Sequence, residues 1–202
     1  MARFSVVIFF ALFLGGACAS PNSIQQEGET PTPNEDRREA LRGEANETPQ
    51  GYSRVEVLGV LATPEGATVV ILGSPETEQV LPIYIDPMQA MTIDLRQRGQ
   101  RFQRPLTHDL LEDVMDQLGG ELAKIHVHSL QESTYHAKLF ILAGDRLLEI
   151  DARPSDAIAL AVGKRVPIFV DQEVLDAGGF TEEELLESPP PSGPDPDQPT
   201  TI

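Results

Sequence analysis

The chain is poor in cysteine and in positive charge, and both shortages limit what it can be. Cys18 is the single cysteine in 202 residues, so no disulfide can form within the chain. Its 15 Lys and Arg residues stand against 32 Asp and Glu, giving a formal net charge of −17 at pH 7. This excess repels phosphate backbones over long range and excludes tight, salt-insensitive binding of nucleic acid. A catalytic encounter needs less affinity, and a local basic patch is enough for it.

Several common catalytic signatures are also missing. The sequence has no Walker loop, no dinucleotide fingerprint, no His-Glu-x-x-His pair and no nucleophile elbow. It has no internal repeat either. Any active site therefore has to be found from less familiar patterns.

The N-terminus has the pattern of a secretory signal. Arg3 precedes an apolar run over residues 4–17, which is shorter than the roughly 18 residues of a membrane-spanning helix. Residues 15–18, Gly-Gly-Ala-Cys, resemble a bacterial lipobox, which favours lipidation of Cys18 and a lipid anchor in the membrane. Residues 17–19 also fit an ordinary signal peptidase, so soluble export is the alternative. We predict an exported, periplasmic or cell-envelope protein.

Composition divides the chain into four segments. We predict a signal peptide at residues 1–19, a disordered acidic linker at 20–50, a folded domain at 51–188 and a disordered tail at 189–202. The linker has few large apolar residues, and the tail is rich in Pro and Asp.

Periodicity in the folded segment predicts a single compact α+β domain, a mixed or antiparallel β-sheet packed with three to four helices. Three strands are expected as a meander, followed by a helix capped by Asp86 and a second helix over residues 107–118. Exposed strands near residues 55–72 and 166–170 suggest a homo-oligomer formed through a sheet edge. The helical spacing of apolar residues in the second helix predicts a buried stripe of Leu110, Leu111, Val114, Met115 and Leu118.

Three motifs in register carry a resemblance to a known family. Residues 153–161 read Arg-Pro-Ser-Asp-Ala-Ile-Ala-Leu-Ala, residues 104–111 read Arg-Pro-Leu-Thr-His-Asp-Leu-Leu, and residues 81–83 read Leu-Pro-Ile. Together they resemble the bifunctional nuclease domain family over roughly residues 55–179. The resemblance implies cleavage of DNA and RNA. It also implies a glutamate at position 89, where this chain has Gln89.

A basic cluster precedes the second helix. Four arginines fall within nine residues, with Phe102 among them and no acid, a composition that suits phosphates and a stacked base. A solvated loop whose arginines balance acids elsewhere is the alternative. The candidate substrate-binding residues are Arg96, Arg98, Arg101 and Arg104.

The remaining candidates lie at two helix starts, in the segments that open at Arg104 and Arg153, and we predict that these segments fold toward one another around a common pocket open to solvent. His108 is a candidate general base or acid, and Arg153 a candidate phosphate ligand. A capped helix start and a simple ion pair explain the same residues without catalysis. The candidate catalytic residues are His108, Asp109, Arg153 and Asp156, and the candidate ligands of Mg²⁺ or Mn²⁺ are Asp109, Asp151 and Asp156.

Alternate histidines form another pattern. His126 and His128 share a strand face and His136 lies across a turn, but no nearby acid or second cysteine completes a zinc set, which favours an exposed strand face. The leading hypothesis is an exported nuclease, metal-assisted, with nucleic acid as transient substrate. The alternative is a non-catalytic, envelope-attached module that binds a protein or a small anionic ligand.

Overall fold

The structure, a computed structural model, describes residues 33–63, 66–181 and 183–184. Within these ranges the chain forms eight strands and five helices. The strands are β1 (Tyr52–Ala62), β2 (Thr68–Gly73), β3 (Gln79–Ile85), β4 (Gly120–Gln131), β5 (Thr134–Ala143), β6 (Arg146–Ala152), β7 (Ile168–Asp171) and β8 (Phe180–Thr181). The helices are α1 (Pro33–Asn46), α2 (Pro87–Gln97), α3 (Thr107–Gln117), α4 (Pro154–Lys164) and α5 (Gln172–Gly178).

The strands form one mixed sheet in the order β6-β5-β4-β7-β1-β2-β3-β8. Strands β4 and β7 pair in parallel, and the other neighbours pair antiparallel. The predicted meander is confirmed as β1-β2-β3. The described residues thus form the single compact α+β domain that the sequence predicts.

The location of the predicted sheet-edge association is wrong for β2 and β7, which lie inside the sheet with a neighbour on both sides. In β1, residues 52–55 pair with β7 and residues 56–62 pair with β2 alone. The edges of the sheet are β6 and β8.

The main core lies between one face of the sheet and α4. The side chains of Ile125 on β4, Leu139 on β5 and Ile158 on α4 belong to one buried cluster, with Leu175 of α5. Successive side chains of a strand point to opposite faces. Leu142 packs instead in a second cluster with Ala45 of α1, so α1 covers the other face of the sheet.

Helix α1 corrects part of the predicted linker at residues 20–50. Its Leu41 and Ala45 lie one turn apart and pack against Ala123 and Leu142, and Ala45 is 3% exposed. On the neighbouring turn Arg42 donates to Glu121 Oε1 at 3.0 Å. The average composition of the segment conceals this short amphipathic pattern.

In helix α3 the side predicted to be buried is largely exposed to solvent. Leu110, Leu111, Val114 and Leu118 are exposed, by 82% in the case of Leu118, and only Met115 of the predicted stripe is buried. The buried positions are instead Asp109 and Glu112, which are 4% and 1% exposed. The reason is a buried arginine on α2, described below, which draws the acidic side of α3 inward.

Some predictions fall on residues that the structure does not describe. The predicted signal peptide at 1–19, the lipidated Cys18, the linker from 20 to 32 and the tail at 189–202 lie outside the described residues. Among the helices of the described part of the chain, none combines the length and the apolar character needed to cross a membrane.

Candidate functional site

The N-termini of α2, α3 and α4 meet at one place on the helical side of the sheet. His108 in the first turn of α3 contacts Asp156 in the first turn of α4, and Gln89 in the first turn of α2 contacts residues at the start of α4. A helix N-terminus carries partial positive charge and unpaired N–H groups, which favour anions. Three such ends together give the site a positive bias within an acidic protein.

Local sequence fixes each helix start. Asp86 accepts from the backbone N–H groups of Met88 at 2.9 Å and Gln89 at 3.0 Å, which confirms it as the N-cap of α2. Pro154 opens α4 at a position where its fixed φ and missing N–H do no harm. The acid Asp109 in the first turn of α3 accepts from Leu106 N–H at 3.0 Å. The three ends are therefore held in place by their own capping chemistry.

A histidine, an aspartate and an arginine form the centre of the site. His108 Nε2 lies 3.1 Å from Asp156 Oδ1, and Arg153 Nε donates to Asp156 Oδ2 at 2.7 Å. The side chains of His108 and Asp156 are 14% and 31% exposed, and that of Arg153 is 67% exposed. The sequence predicted all three, and the structure brings them together with an open side toward solvent.

Asp156 is held in its charged form. Partial burial by itself raises the pKa of this carboxyl, but the hydrogen bond and charge of Arg153, and then those of His108, outweigh burial and keep the pKa below its ordinary value. The pKa of Arg153 is raised in turn, chiefly by its hydrogen bond to Asp156. An ionised Asp156 is the partner that orients an imidazole.

Gln89 links α2 to this centre. In the amide orientation that satisfies both of its ends, Gln89 accepts from Arg153 Nη2 at 2.6 Å and donates to Ser155 Oγ at 2.8 Å and to Asp86 Oδ2 at 3.2 Å. An amide can accept and donate at once, which a carboxylate cannot. The side chain therefore ties the caps of α2 and α4 together, and the sequence analysis missed Ser155 and Asp86 as members of the site.

Arg96 lies in a different and closed cluster. It is 8% exposed, and it donates to Asp109 Oδ1 at 2.6 Å, to the Ala159 carbonyl at 2.7 Å and to Glu112. Burial lowers the pKa of the guanidinium, and the charge of Asp109 opposes that change. Each of the three guanidinium nitrogens of Arg96 donates a hydrogen bond within the protein, so its role in the structure is to join α2, α3 and α4.

Gly163 makes room for this cluster. A Cβ at position 163 would lie 2.6 Å from Arg96 Cζ and 2.6 Å from Glu112 Oε1, closer than non-bonded atoms approach. The glycine gave no signal in the sequence, because its purpose depends on side chains from two other helices.

The other three arginines of the basic cluster differ in how free they are. Arg98 pairs with Asp94 on the exposed side of α2, with Nη2 and Oδ1 2.8 Å apart. Arg101 reaches Glu112 Oε2 at 3.1 Å but leaves 59% of its side chain exposed. Arg104 is exposed and makes no ion pair within the described ranges. Arg104 is therefore the arginine best able to meet a ligand.

The predicted metal ligands do not form one site. Asp109 is bound to Arg96 and Leu106 N–H, Asp156 to Arg153 and His108, and Asp151 is exposed on β6 opposite Lys138 of β5. Nowhere in the described part of the chain are three His, Cys, Asp or Glu side chains grouped so that they fit a metal ion. These three acids are therefore unsuited to share one cation.

The histidines of the outer sheet face lie apart from this site. His126 is 7% exposed, with its ring centroid 4.5 Å from that of Tyr52 and 4.3 Å from that of Phe140. The rings of His128 and His136 are 6.4 Å apart. The predicted exposed strand face is therefore wrong for His126, which is buried, while His128 and His136 are half-buried.

Fold and site together define an α+β domain with a His-Asp-Arg centre where three helix starts meet. The family model of the bifunctional nuclease domain matches residues 70–183, and the chain belongs to that family. An uncharacterised protein of Mycobacterium tuberculosis (strain ATCC 25618 / H37Rv) is 38% identical over 127 residues, which cover 62% of this chain and 76% of that protein. The resemblance seen in the three sequence motifs is thus confirmed.

More distant relatives come from plants. Bifunctional nuclease 2 of Oryza sativa subsp. japonica is 29% identical over 123 residues, covering 58% of this chain and 38% of the rice protein. Bifunctional nuclease 2 of Arabidopsis thaliana is 27% identical over 117 residues, covering 56% of this chain and 36% of that protein. The shared part is the domain that contains the site.

Proposed function

We propose that the chain is a nuclease that hydrolyses phosphodiester bonds in DNA and RNA at the His108, Asp156 and Arg153 centre. The observation that carries the proposal is the 3.1 Å contact between His108 Nε2 and Asp156 Oδ1 at the start of two helices, with Arg153 on the same carboxylate. A histidine oriented by an ionised acid, next to an exposed guanidinium, supplies a proton acceptor and a phosphate ligand together. Membership of the bifunctional nuclease domain family supports the same reaction.

His108 acts as the general base in this proposal. Asp156 accepts a hydrogen bond from Nε2–H of His108, which leaves Nδ1 free to take a proton from the attacking water. The new P–O bond forms as the bond to the leaving oxygen breaks, and that oxygen takes up a proton from solvent water. Asp156 keeps the imidazole in place and stabilises its protonated form.

Arg153 and Arg104 bind the phosphates. The guanidinium of Arg153 is exposed on one side and faces the developing negative charge, while Arg104 on the loop before α3 holds a neighbouring phosphate. The three helix starts add to the attraction. Because the rest of the surface is acidic, binding is weak and falls further with salt.

The divalent cation predicted from the sequence stays a prediction, and no step above depends on it. Export and a lipid at Cys18 are likewise proposed from the N-terminal pattern of an apolar run followed by Gly-Gly-Ala-Cys. The mass of the mature N-terminal peptide tests both, since a lipidated Cys18 adds the mass of its acyl chains.

The activity is tested with purified full chain and labelled single-stranded DNA and RNA, in Mg²⁺, in Mn²⁺ and in EDTA. We expect His108→Gln to lower the rate by about 10²- to 10⁴-fold, the usual contribution of a positioned base. His136→Gln, a half-buried histidine on β5 outside the site, is the matched control and should cleave like the natural protein.

Equal rates for the two variants would place the activity elsewhere, in a contaminant or another site. If no protein cleaves but the oligonucleotides still bind through Arg104 and Arg153, the non-catalytic binding module is the correct function. Loss of cleavage in EDTA, restored by Mg²⁺ or Mn²⁺, would establish the cation.

A further inference from the structure

Helix α3 presents to solvent an apolar surface that no other described part of the chain covers. This surface, the α3 stripe, consists of four side chains with exposed fractions between 46% and 82%: Leu110, Leu111, Val114 and Leu118. None of them belongs to the proposed nuclease centre. We propose that the α3 stripe is the interface of a homodimer in which α3 packs antiparallel against α3 of a second copy.

The spacing of the stripe suits pairing with another helix. Leu111, Val114 and Leu118 follow at intervals of three and four residues, and Leu110 extends the same stripe by one position. This is the seam by which two helices pack lengthwise. In α3 the acidic side faces the protein and the leucines face solvent. Another apolar surface is needed to bury these leucines.

Charge on α3 permits a close copy of the same helix. The helix carries four acids and no Lys or Arg. Asp109 and Glu112 are paired with Arg96 inside the protein, and Asp116 accepts from Lys164 at 2.6 Å. Of the four, Asp113 alone has no ion pair within the described ranges, so two copies can approach although the whole chain carries a charge of −17.

The antiparallel direction follows from the ends of the helix. It opposes the two helix dipoles, which favours the antiparallel over the parallel pair. A two-fold axis at Val114 then places Leu110 of each copy against Leu118 of the other. The interface is self-complementary, as a two-fold dimer requires.

A membrane surface is a poorer occupant for the same stripe. Helices that lie in a bilayer interface carry Lys and Arg on the polar side, and α3 has none. Four aliphatic side chains cover only part of the roughly 800 Å² per partner of a standard stable interface. We therefore expect a dimer that dissociates on dilution.

Sedimentation velocity of the full chain over a range of concentrations tests the proposal. The variant is Leu110→Glu, and the matched control is Leu61→Glu on β1, because both leucines are 56% exposed. We expect the natural protein and Leu61→Glu to shift from one to two chain masses with concentration, and Leu110→Glu to need at least about tenfold more protein for the same shift. Circular dichroism checks that both variants are folded.

Cross-linking tests the direction of packing in a Cys18→Ser background. Val114→Cys should form a disulfide between copies. Leu118→Cys should not, because in the antiparallel pair its two copies lie about 12 Å apart along the axis, beyond the roughly 7 Å limit between Cα atoms. A monomer at all concentrations, equal association of Leu110→Glu and Leu61→Glu, or binding of a monomer to lipid vesicles through the stripe would overturn the proposal. Cross-linking of Leu118→Cys without Val114→Cys would overturn the antiparallel arrangement.

Discussion

Arg96 of α2 and Asp109 of α3 form a buried ion pair with Nη1 and Oδ1 2.6 Å apart, although the sequence placed one in substrate binding and the other in catalysis. Glu112 and the Ala159 carbonyl complete the surroundings of the guanidinium. The two residues that were predicted to act in substrate binding and catalysis therefore hold α2, α3 and α4 together. Their contribution reaches the His108 and Asp156 centre through the position of α3.

Arg96→Leu is expected to destabilise the fold by about 3–5 kcal/mol, because it leaves the buried carboxylates of Asp109 and Glu112 with only the half-exposed Arg101 as a counter-charge. Denaturant unfolding followed by circular dichroism measures the change. Arg98→Leu is the matched control. Arg98 caps the C-terminus of α2, two residues after Arg96, and makes an exposed ion pair with Asp94, whose loss should cost no more than about 1 kcal/mol. Similar losses of unfolding free energy in both variants would mean that the buried ion pairs of Arg96 stabilise the fold no more than an exposed ion pair does.

The contrast between α2 and α3 shows what the sequence could predict. The start of α2 follows from Asp86 and Pro87, which act on their own backbone, and the strand meander follows from local periodicity. The inward side of α3 depends on Arg96, on the space above Gly163 and on α4, which no short window of sequence contains. His108 and Asp156 were predicted to share a pocket, but the direct contact between their side chains, 48 residues apart in the chain, is seen only in the structure.

Gln89→Glu is expected to raise KM for oligonucleotides by roughly fivefold with kcat little changed. The new carboxylate faces Asp86 Oδ2, which lies 3.2 Å from the amide nitrogen of Gln89 in the natural protein, and it competes with phosphate for Arg153. The added negative charge should weaken the binding of phosphate by about 1 kcal/mol. Initial rates against substrate concentration at low salt measure it. Gln131→Glu at the exposed end of β4 adds the same net charge elsewhere and should leave KM unchanged.

An increase in kcat for Gln89→Glu would instead show that an acid at this position takes part in the reaction. The outcome thus separates a residue that ties two helix caps together from one that carries a proton or binds a cation. Loss of activity with loss of folding would be visible in the same circular dichroism check.

His126 makes stability depend on pH. Burial, and then the charge of Lys124, lower its pKa from the ordinary 6.5 to about 4. Its Nε2 is buried and makes no hydrogen bond within the described residues. Between pH 6.5 and 4 the unfolded chain therefore binds a proton that the folded protein does not, and the free energy of unfolding falls as pH falls.

His126→Phe should remove this pH dependence. In the natural protein we expect the free energy of unfolding to decrease by up to about 3 kcal/mol between pH 7 and pH 4, since each unit of pKa difference is worth about 1.4 kcal/mol. The phenyl ring fits the same aromatic surroundings of Tyr52 and Phe140 and cannot be protonated. Urea unfolding at several pH values compares it with His136→Phe, which should keep most of the decrease. An unchanged slope in His126→Phe would show that other groups, not this buried imidazole, cause the loss of stability in acid.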